Sequence, residues 1–456
     1  MKKLFIIASI ILVAIASLPL VGNRIIESEL NNRLKTISSY GVYTKKEIAD
    51  TKYLQTKKYY EFVVTDADKL LKYLSKFSNS QIPPYISKFL DGTTLAVDLK
   101  YNNIPINDMV YISFRPIALS KKTINEIKKE DPGFAAYLES FLKNGGLEYH
   151  IDYNVLKQEF RGYIKNIDES YTFASGQKLD AKLKGAVFNG KGLLVAPEFI
   201  DSNIDKIYLD VTNKTNNIIL DIQNIYLTSI FESRTTYKTY IKANSLNINI
   251  NDDKIGKTIL DIKKPKMNFA SSTKGLKAEF TSKSSFEDLN LKTKLQEVDM
   301  LKFNYEVSLK DIDKDSFEEL SKLLDSAKYG VDNQSTLKIE KSLQQLLMRG
   351  FDLKVSDFSI KNIKLNKKRN LEGASLKLGV KLASDSNINF SKPIELLDKI
   401  KLDLLLNISK PMFVAVTQSN PIVALSQGYA KEKGNSLVYN IKIQNGSVSV
   451  NDKRVR

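Results

Sequence analysis

The chain has 456 residues, 42% of them hydrophobic and 27% charged, with a net charge of +17. That length allows two or three domains, and that composition describes a folded chain rather than a disordered one. With no Cys, no Trp and one His, disulfides, thiolate metal sites, iron–sulfur clusters, Cys nucleophiles and multi-His metal centres are excluded.

The chain opens "MKKLFIIASIILVAIASLPLVGNR". Lys2 and Lys3 precede an uncharged, almost wholly apolar run, Leu4–Val21. The run is just long enough to cross a bilayer, and Lys2 and Lys3 on the cytoplasmic side would put the rest of the chain outside. Ala14-Ile15-Ala16 also fits a cleavage site that would release the chain before Ser17. Residues 1–22 are therefore read as a signal anchor, with a cleaved signal peptide (cut near Ala16) as the alternative. Ile26, Leu30, Leu34 and Ile37 recur at helical spacing, which predicts an amphipathic stem. Residues 23–456 are the expected ectodomain. An α/β portion covers 23–145, and a β-rich portion covers 146–456 with helices near 315–349.

In "DADKLLKYLSKF", Asp66 is a candidate N-cap ahead of Leu70, Leu71, Leu74 and Phe77 on one helix side. "DPGFAAYLESFLKNGG" stacks Phe134, Leu138, Phe141 and Leu142 and stops at Gly145-Gly146. Strand patterns then take over. Ile207, Leu209 and Val211 share a face, as do Leu246, Ile248 and Ile250, and then Phe303, Tyr305, Val307 and Leu309. "DSFEELSKLLDSAKYG" and "STLKIEKSLQQLLMRG" predict helices that end at Gly330 and Gly350. Alternation returns at Leu376, Leu378, Val380 and Leu382. "KPIELLDKI" is a shorter helix candidate, and Ile400, Leu402, Leu404, Leu406 and Ile408 form one more strand face. The chain closes on "SLVYNIKIQNGSVSVNDKRVR". A two-residue type I′ turn at Asn445-Gly446 predicts Gln444 opposite Ser447, Ile443 opposite Val448, Ile441 opposite Val450 and Asn440 opposite Asn451. The predicted class is α+β and β-rich: a large curved antiparallel sheet with inserted helices, after one N-terminal membrane or signal helix.

Three stretches are candidates for chemistry. In "GGLEYHIDY", Leu147, Tyr149, Ile151 and Tyr153 take one face, leaving Glu148, His150 and Asp152 on the other. Two carboxylates beside a His can poise a general base, although a triad needs a nucleophile whose position the sequence does not reveal; an ordinary polar strand face is the plainer reading. In "GAVFNGKGLL", Gly185, Gly190 and Lys191 match a phosphate-loop spacing. Gly192 replaces the magnesium-binding Ser or Thr, and no amphipathic helix follows, so Asn189-Gly190 reads as a hairpin turn. In "KYLQTKKYYEF", Lys52, Lys57 and Lys58 interleave with Tyr53, Tyr59 and Tyr60, a pattern for anionic headgroups or for a strand with Tyr packed and Lys solvated. The basic residues are mostly Lys in no long block, which fits a solvated face better than nucleic acid. No catalytic, cofactor or metal residue is assigned.

Two regions carry a resemblance. "SELNNRLKTISSYGVYTKKEIADTKYLQTKKYYEFVV" follows the apolar segment, and "QGYAKEKGNSLVYNIKIQNGSVSVNDKRV" ends the chain with Gly428, Tyr439, Gly446, Val448, Val450 and Asn451. Both look like the YdgA-like family of bacterial envelope proteins, a domain of unknown function, whose closing pattern is a Gly-led strand, a Tyr-containing strand, a Gly turn and a short tail. The resemblance implies an envelope location, no established catalytic residues, and a looser likeness to AsmA-type proteins that handle lipids. The expectation is a non-enzymatic protein of the bacterial inner membrane, facing the periplasm and binding lipid or an envelope protein partner. The alternative is a periplasmic hydrolase or transferase using carboxylates or His150.

Overall fold

A computed structural model describes residues 24, 26–75, 85–104, 109–194, 196–213, 215–233, 235–253, 256–327, 333–365, 369–384 and 397–455. The chain is β-rich, with a large antiparallel sheet and a smaller set of helices. By contacts it divides into Met1–Lys206 and Ile207–Arg456, so residues 146–206 belong to the first unit. The run Leu4–Val21 with its cleavage motif, Phe77, Gly330 and most of "KPIELLDKI" lie outside the described residues. No described helix is long and apolar enough to cross a membrane.

In the first unit, helix α1 (26–39) leads into β1 (Val42–Thr51), β2 (Gln55–Val64), α2 (Ala67–Leu74), α3 (Tyr85–Leu90), β3 (Thr94–Asn102) and β4 (Met109–Ala118). Then come α4 (Lys121–Glu130), α5 (Pro132–Lys143), β5 (Tyr149–Asn154), β6 (Glu159–Ile164), β7 (Ile167–Thr172), β8 (Lys178–Lys184), β9 (Val187–Leu193) and β10 (Ala196–Thr212). The strands pair antiparallel in the order β1–β2–β3–β4–β5–β6–β9–β10, and the β7–β8 hairpin joins them through a pairing of β8 with β10. Asp66 caps α2 as expected, accepting from the Lys69 N–H at 2.9 Å. Ser120 and Asp131 cap α4 and α5 in the same way. Val42, Val64, Ala67 and Leu70 form the core under α2, with Ile37 of α1 and Leu90 of α3 packed on it.

Two expectations fail here. Asn189-Gly190 is the middle of β9, not a turn, because β9 pairs with β6 on one edge and β10 on the other. Gly190 faces Phe160 across the ladder, and the Phe160 ring occupies the space a Cβ would need. An aromatic ring covering a strand glycine explains the residue without a turn or a phosphate loop. Nor are all the lysines of "KYLQTKKYYEF" solvated. Lys57 is exposed, but Lys58 is buried beside Tyr60, with its ammonium 3.3 Å from Glu47 and 3.4 Å from Glu27 of α1. Burial opposes its charge; Glu27 and Glu47 outweigh that and hold its pKa above the ordinary lysine value.

The second unit starts with β11 (Asn217–Phe231), β12 (Tyr237–Lys242), β13 (Ser245–Asp252), β14 (Gly256–Lys263), β15 (Lys266–Lys274), β16 (Lys277–Lys292) and β17 (Glu297–Asp313). Helices α6 (Lys314–Ala327) and α7 (Asn333–Met348) follow, then β18 (Phe351–Leu365), β19 (Arg369–Leu382) and β20 (Ile400–Ser409). After α8 (Lys410–Ser419) and a 3-10 segment (Pro421–Tyr429) come β21 (Lys431–Lys433), β22 (Ser436–Gln444), β23 (Ser447–Val450) and β24 (Lys453–Arg454). β12 and β13 lie end to end along β11, and β14 and β15 lie end to end along β16. Beyond them the order is β16–β17–β18–β19–β20–β22–β23–β24.

The breaks in these strands line up. Residues 224–225 of β11 lie opposite 243–244, which lie opposite 264–265, then 286–287. The line continues through Lys302 of β17 and Lys361 of β18 to Gly373 of β19. Asn224, Lys264 and Lys302 have φ of 51°, 51° and 50°, left-handed backbone that kinks each strand while the register on either side stays the same. At Gly373 the backbone of Ile360 fills the Cβ position. Each such residue interrupts the extended backbone and with it the two-residue alternation of faces. In β17 Val298, Met300 and Phe303 pack on one apolar cluster, so the spacing of that face changes from two residues to three across Lys302.

The closing hairpin has the expected register, with Ile441 opposite Val450 and Ile443 opposite Val448, around Asn445 (φ 51°) and Gly446 (φ 73°). It is not the end of the sheet. Asn451 and Asp452 also have positive φ and turn the chain into β24. The Asn451 carboxamide donates to Tyr429 O (2.7 Å) and Val438 O (2.9 Å) and accepts from the Asn440 N–H (2.9 Å). Gly428 lies in the 3-10 segment rather than opening a strand. Tyr439 is buried with Ile408, Phe413 and Leu437.

Candidate functional site

The first candidate is the polar face of the first unit. Strand register lays two rows of side chains across it. One runs Ile48, Tyr59, Asp98, Ser113, His150, Tyr163, and the next Asp50, Lys57, Lys100, Tyr111, Asp152, Arg161. Between them lies an open cavity of about 300 Å³ whose lining includes Asp50, Lys57, Tyr59, Asp98, Lys100, Tyr111, Ser113 and His150. Ser113 Oγ is 2.9 Å from His150 Nδ1, and His150 Nε2 is 2.9 Å from Asp152 Oδ1. The other oxygen of Asp152 accepts from Arg161 Nε at 3.0 Å, and the Tyr163 ring stacks on the imidazole.

The nucleophile position that sequence leaves open is thus filled by Ser113, across the ladder from His150. Glu148 does not join them; it precedes β5, where its charge acts on Arg115. With Nε2–H donating to Asp152, Nδ1 accepts the Ser113 hydroxyl proton, which is the polarity a general base requires. An acyl-transfer site also needs N–H donors aimed at the developing oxyanion. Ser113 lies mid-strand, paired with Asp98 on one side and His150 on the other, so its backbone is committed to the ladders. The arrangement moves a proton more readily than it stabilises an oxyanion.

Charge is unevenly matched around this cavity. Asp98 is held by Arg115 at 2.6 Å, and Asp152 by Arg161. Glu61 pairs with Lys45 and Lys46. Lys57 and Lys100 face each other directly, and among the described residues neither forms an ion pair; Lys100 sits 5.1 Å from the Tyr111 ring. Gly185 and Lys191 of the phosphate-loop spacing do not converge with these residues, since β9 continues into a hairpin with β10. No group of three His, Asp or Glu among the described residues could hold a metal ion.

The second candidate is the apolar face of the second unit. The row Ile222, Leu246, Ile262, Leu289, Met300, Ile363, Leu371 crosses seven strands without a polar residue. Beside it run Leu220, Ile248, Leu260, Leu291 and Val298. At a strand spacing of about 4.8 Å, seven strands make an apolar strip roughly 29 Å long. Met412 and Ala415 of α8 cover it at Ile363 and Leu371, which are buried. From Leu220 to Leu291 the same side chains are only half-buried. The opposite face carries Asp221, Asn247, Asp261, Asn290, Asp299 and Lys364 in register. Sequence alternation marked these strands as amphipathic; the continuity of the rows depends on register between strands, which alternation within one strand does not contain. Comparison of the chain with family models, with curated proteins and with solved structures returned no match.

Proposed function

We propose that this is a non-enzymatic bacterial envelope protein that binds a hydrophobic ligand, the acyl chain of a lipid, along the apolar face of its second unit. Residues 1–22 hold it at the inner membrane with the ectodomain in the periplasm. The observation that carries the reading is the strip of aliphatic side chains from Leu220 to Leu291, left half-buried where a closed core would seal it. The aligned left-handed residues Asn224, Lys264 and Lys302 support it further, since kinks at matching positions of neighbouring strands bend a sheet along one line. The resemblance at the two ends supports the envelope location, and the apolar run Leu4–Val21 supports the anchor.

Purification of the full chain from bacterial membranes in mild detergent, followed by lipid extraction, is expected to return bound lipid. The variant Ile262→Gln is expected to carry less lipid at an unchanged circular-dichroism spectrum. Recovery of the chain only in the soluble periplasmic fraction would remove the anchor. A co-purifying protein in place of lipid would exchange the acyl chain for a protein partner. A second reading, hydrolysis at Ser113, rests on the hydrogen-bonded chain through His150 to Asp152. It requires that a fluorophosphonate label Ser113, and an unlabelled protein removes it.

A further inference from the structure

We infer that the cavity on the polar face of the first unit is an anion site, built around Lys57 and Lys100, that takes a phosphate group. Like charges directly opposite each other on a sheet destabilise it. Lys57 and Lys100 are such a pair, on neighbouring strands with side chains on the same face. The surrounding carboxylates do not relieve them. Asp98 lies on that face but is committed to Arg115 at 2.6 Å, and Asp152 is shared by His150 and Arg161. Asp50, opposite Lys57, is the remaining acidic group in the lining. One carboxylate facing two ammonium groups leaves an excess positive charge at a concave surface.

The chemistry of the lining selects the ligand class. Two ammonium groups act as point charges with several donors each, which suits a phosphate oxygen shell. The Tyr59 and Tyr111 rings flank the lysines, and the cavity of about 300 Å³ exceeds a bare phosphate, so a phosphate ester with an organic substituent fits. Ser113 and His150 close one end. Asp152 is taken up by the imidazole and by Arg161 and is not part of the lining. A lipid headgroup and a free phosphate ester share this chemistry. The site belongs to the first unit and the apolar strip to the second, so the two proposals stand or fall independently.

The test measures binding of inorganic phosphate, of glycerol 3-phosphate and of vesicles containing phosphatidylglycerol, against phosphatidylcholine vesicles, to the full chain in detergent and to Lys57→Gln/Lys100→Gln. Lys121→Gln/Lys122→Gln on exposed α4 removes the same charge elsewhere. The inference expects the first double variant to bind roughly tenfold or more weakly, with the α4 variant close to wild type. Loss seen with the soluble phosphates identifies a free phosphate ester; loss seen only with anionic vesicles identifies a headgroup. No binding by any probe, or equal weakening in both double variants, would overturn the inference.

Discussion

Asp131 shows how one side chain ties local structure to packing. It precedes Pro132, the first residue of α5, and its Oδ1 accepts from the Phe134 N–H at 2.8 Å and from the Tyr171 hydroxyl at 3.2 Å. Its Oδ2 accepts from the Ala174 N–H at 2.7 Å, so the helix cap also holds the turn after β7. The Ala174 and Phe134 amides stabilise the carboxylate and pull its pKa below the ordinary aspartate value. A depressed folded-state pKa stabilises the fold above the unfolded value, about pH 4, and that contribution is lost as pH falls through the lower folded value. Thermal melts at a series of acidic pH values should therefore show Asp131→Asn less stable than wild type at pH 7. The two should converge as pH drops below 4; a constant difference down to pH 2 would contradict the account. Asp-Pro at the head of an apolar helical pattern is the signal that could have marked this cap from sequence.

The elements divide into those a single strand encodes and those that depend on its neighbours. The hairpin at Asn445-Gly446 was legible in register from Gln444–Ser447 out to Ile441–Val450, because a two-residue turn fixes the pairs that follow; the expected pair Asn440–Asn451 is not in the ladder, since Asn451 turns out of the strand and its carboxamide takes the Asn440 N–H. The helices at Lys314–Ala327 and Asn333–Met348 were legible from their periodicity. Asn189-Gly190 misled because a turn dipeptide also suits a strand position that an aromatic ring covers from across the ladder. The line of left-handed residues was half-visible. The three-residue step from Met300 to Phe303 is a phase slip in the sequence, but nothing in one strand says that the slips of neighbouring strands coincide. Lys302 tests the physical account of that line. Its φ of 50° is costly for a side chain with a Cβ and free for glycine. Lys302→Gly should raise the urea midpoint, by about 1 kcal/mol in stability, and Lys302→Val should lower it by at least as much. The reverse order would mean that the left-handed backbone at Lys302 does not persist in solution.

Across the whole molecule, two surfaces stand out, one in each unit, and they ask for different ligands. The first unit presents lysines and tyrosines around a shallow cavity, and the second presents an aliphatic strip with acidic and amide side chains on its reverse. The net charge of +17 is carried mostly by lysine, which favours anionic surfaces without specifying nucleic acid. On the first surface Ser113, His150 and Asp152 form a hydrogen-bonded chain, with the Ser113 backbone committed to the ladders, and the strip is the larger feature. The central claim is that lipid lies along that strip, and adjacent residues of β14 decide it. Ile262 belongs to the apolar row and Asp261 to the polar row on the opposite face. A photoreactive benzoylphenylalanine placed at position 262 or at position 261, irradiated in intact cells and analysed by mass spectrometry, reads the occupant of each face directly. Lipid adducts from position 262 and none from position 261 are the predicted result; no lipid adduct at 262, or equal yields from both positions, would contradict it.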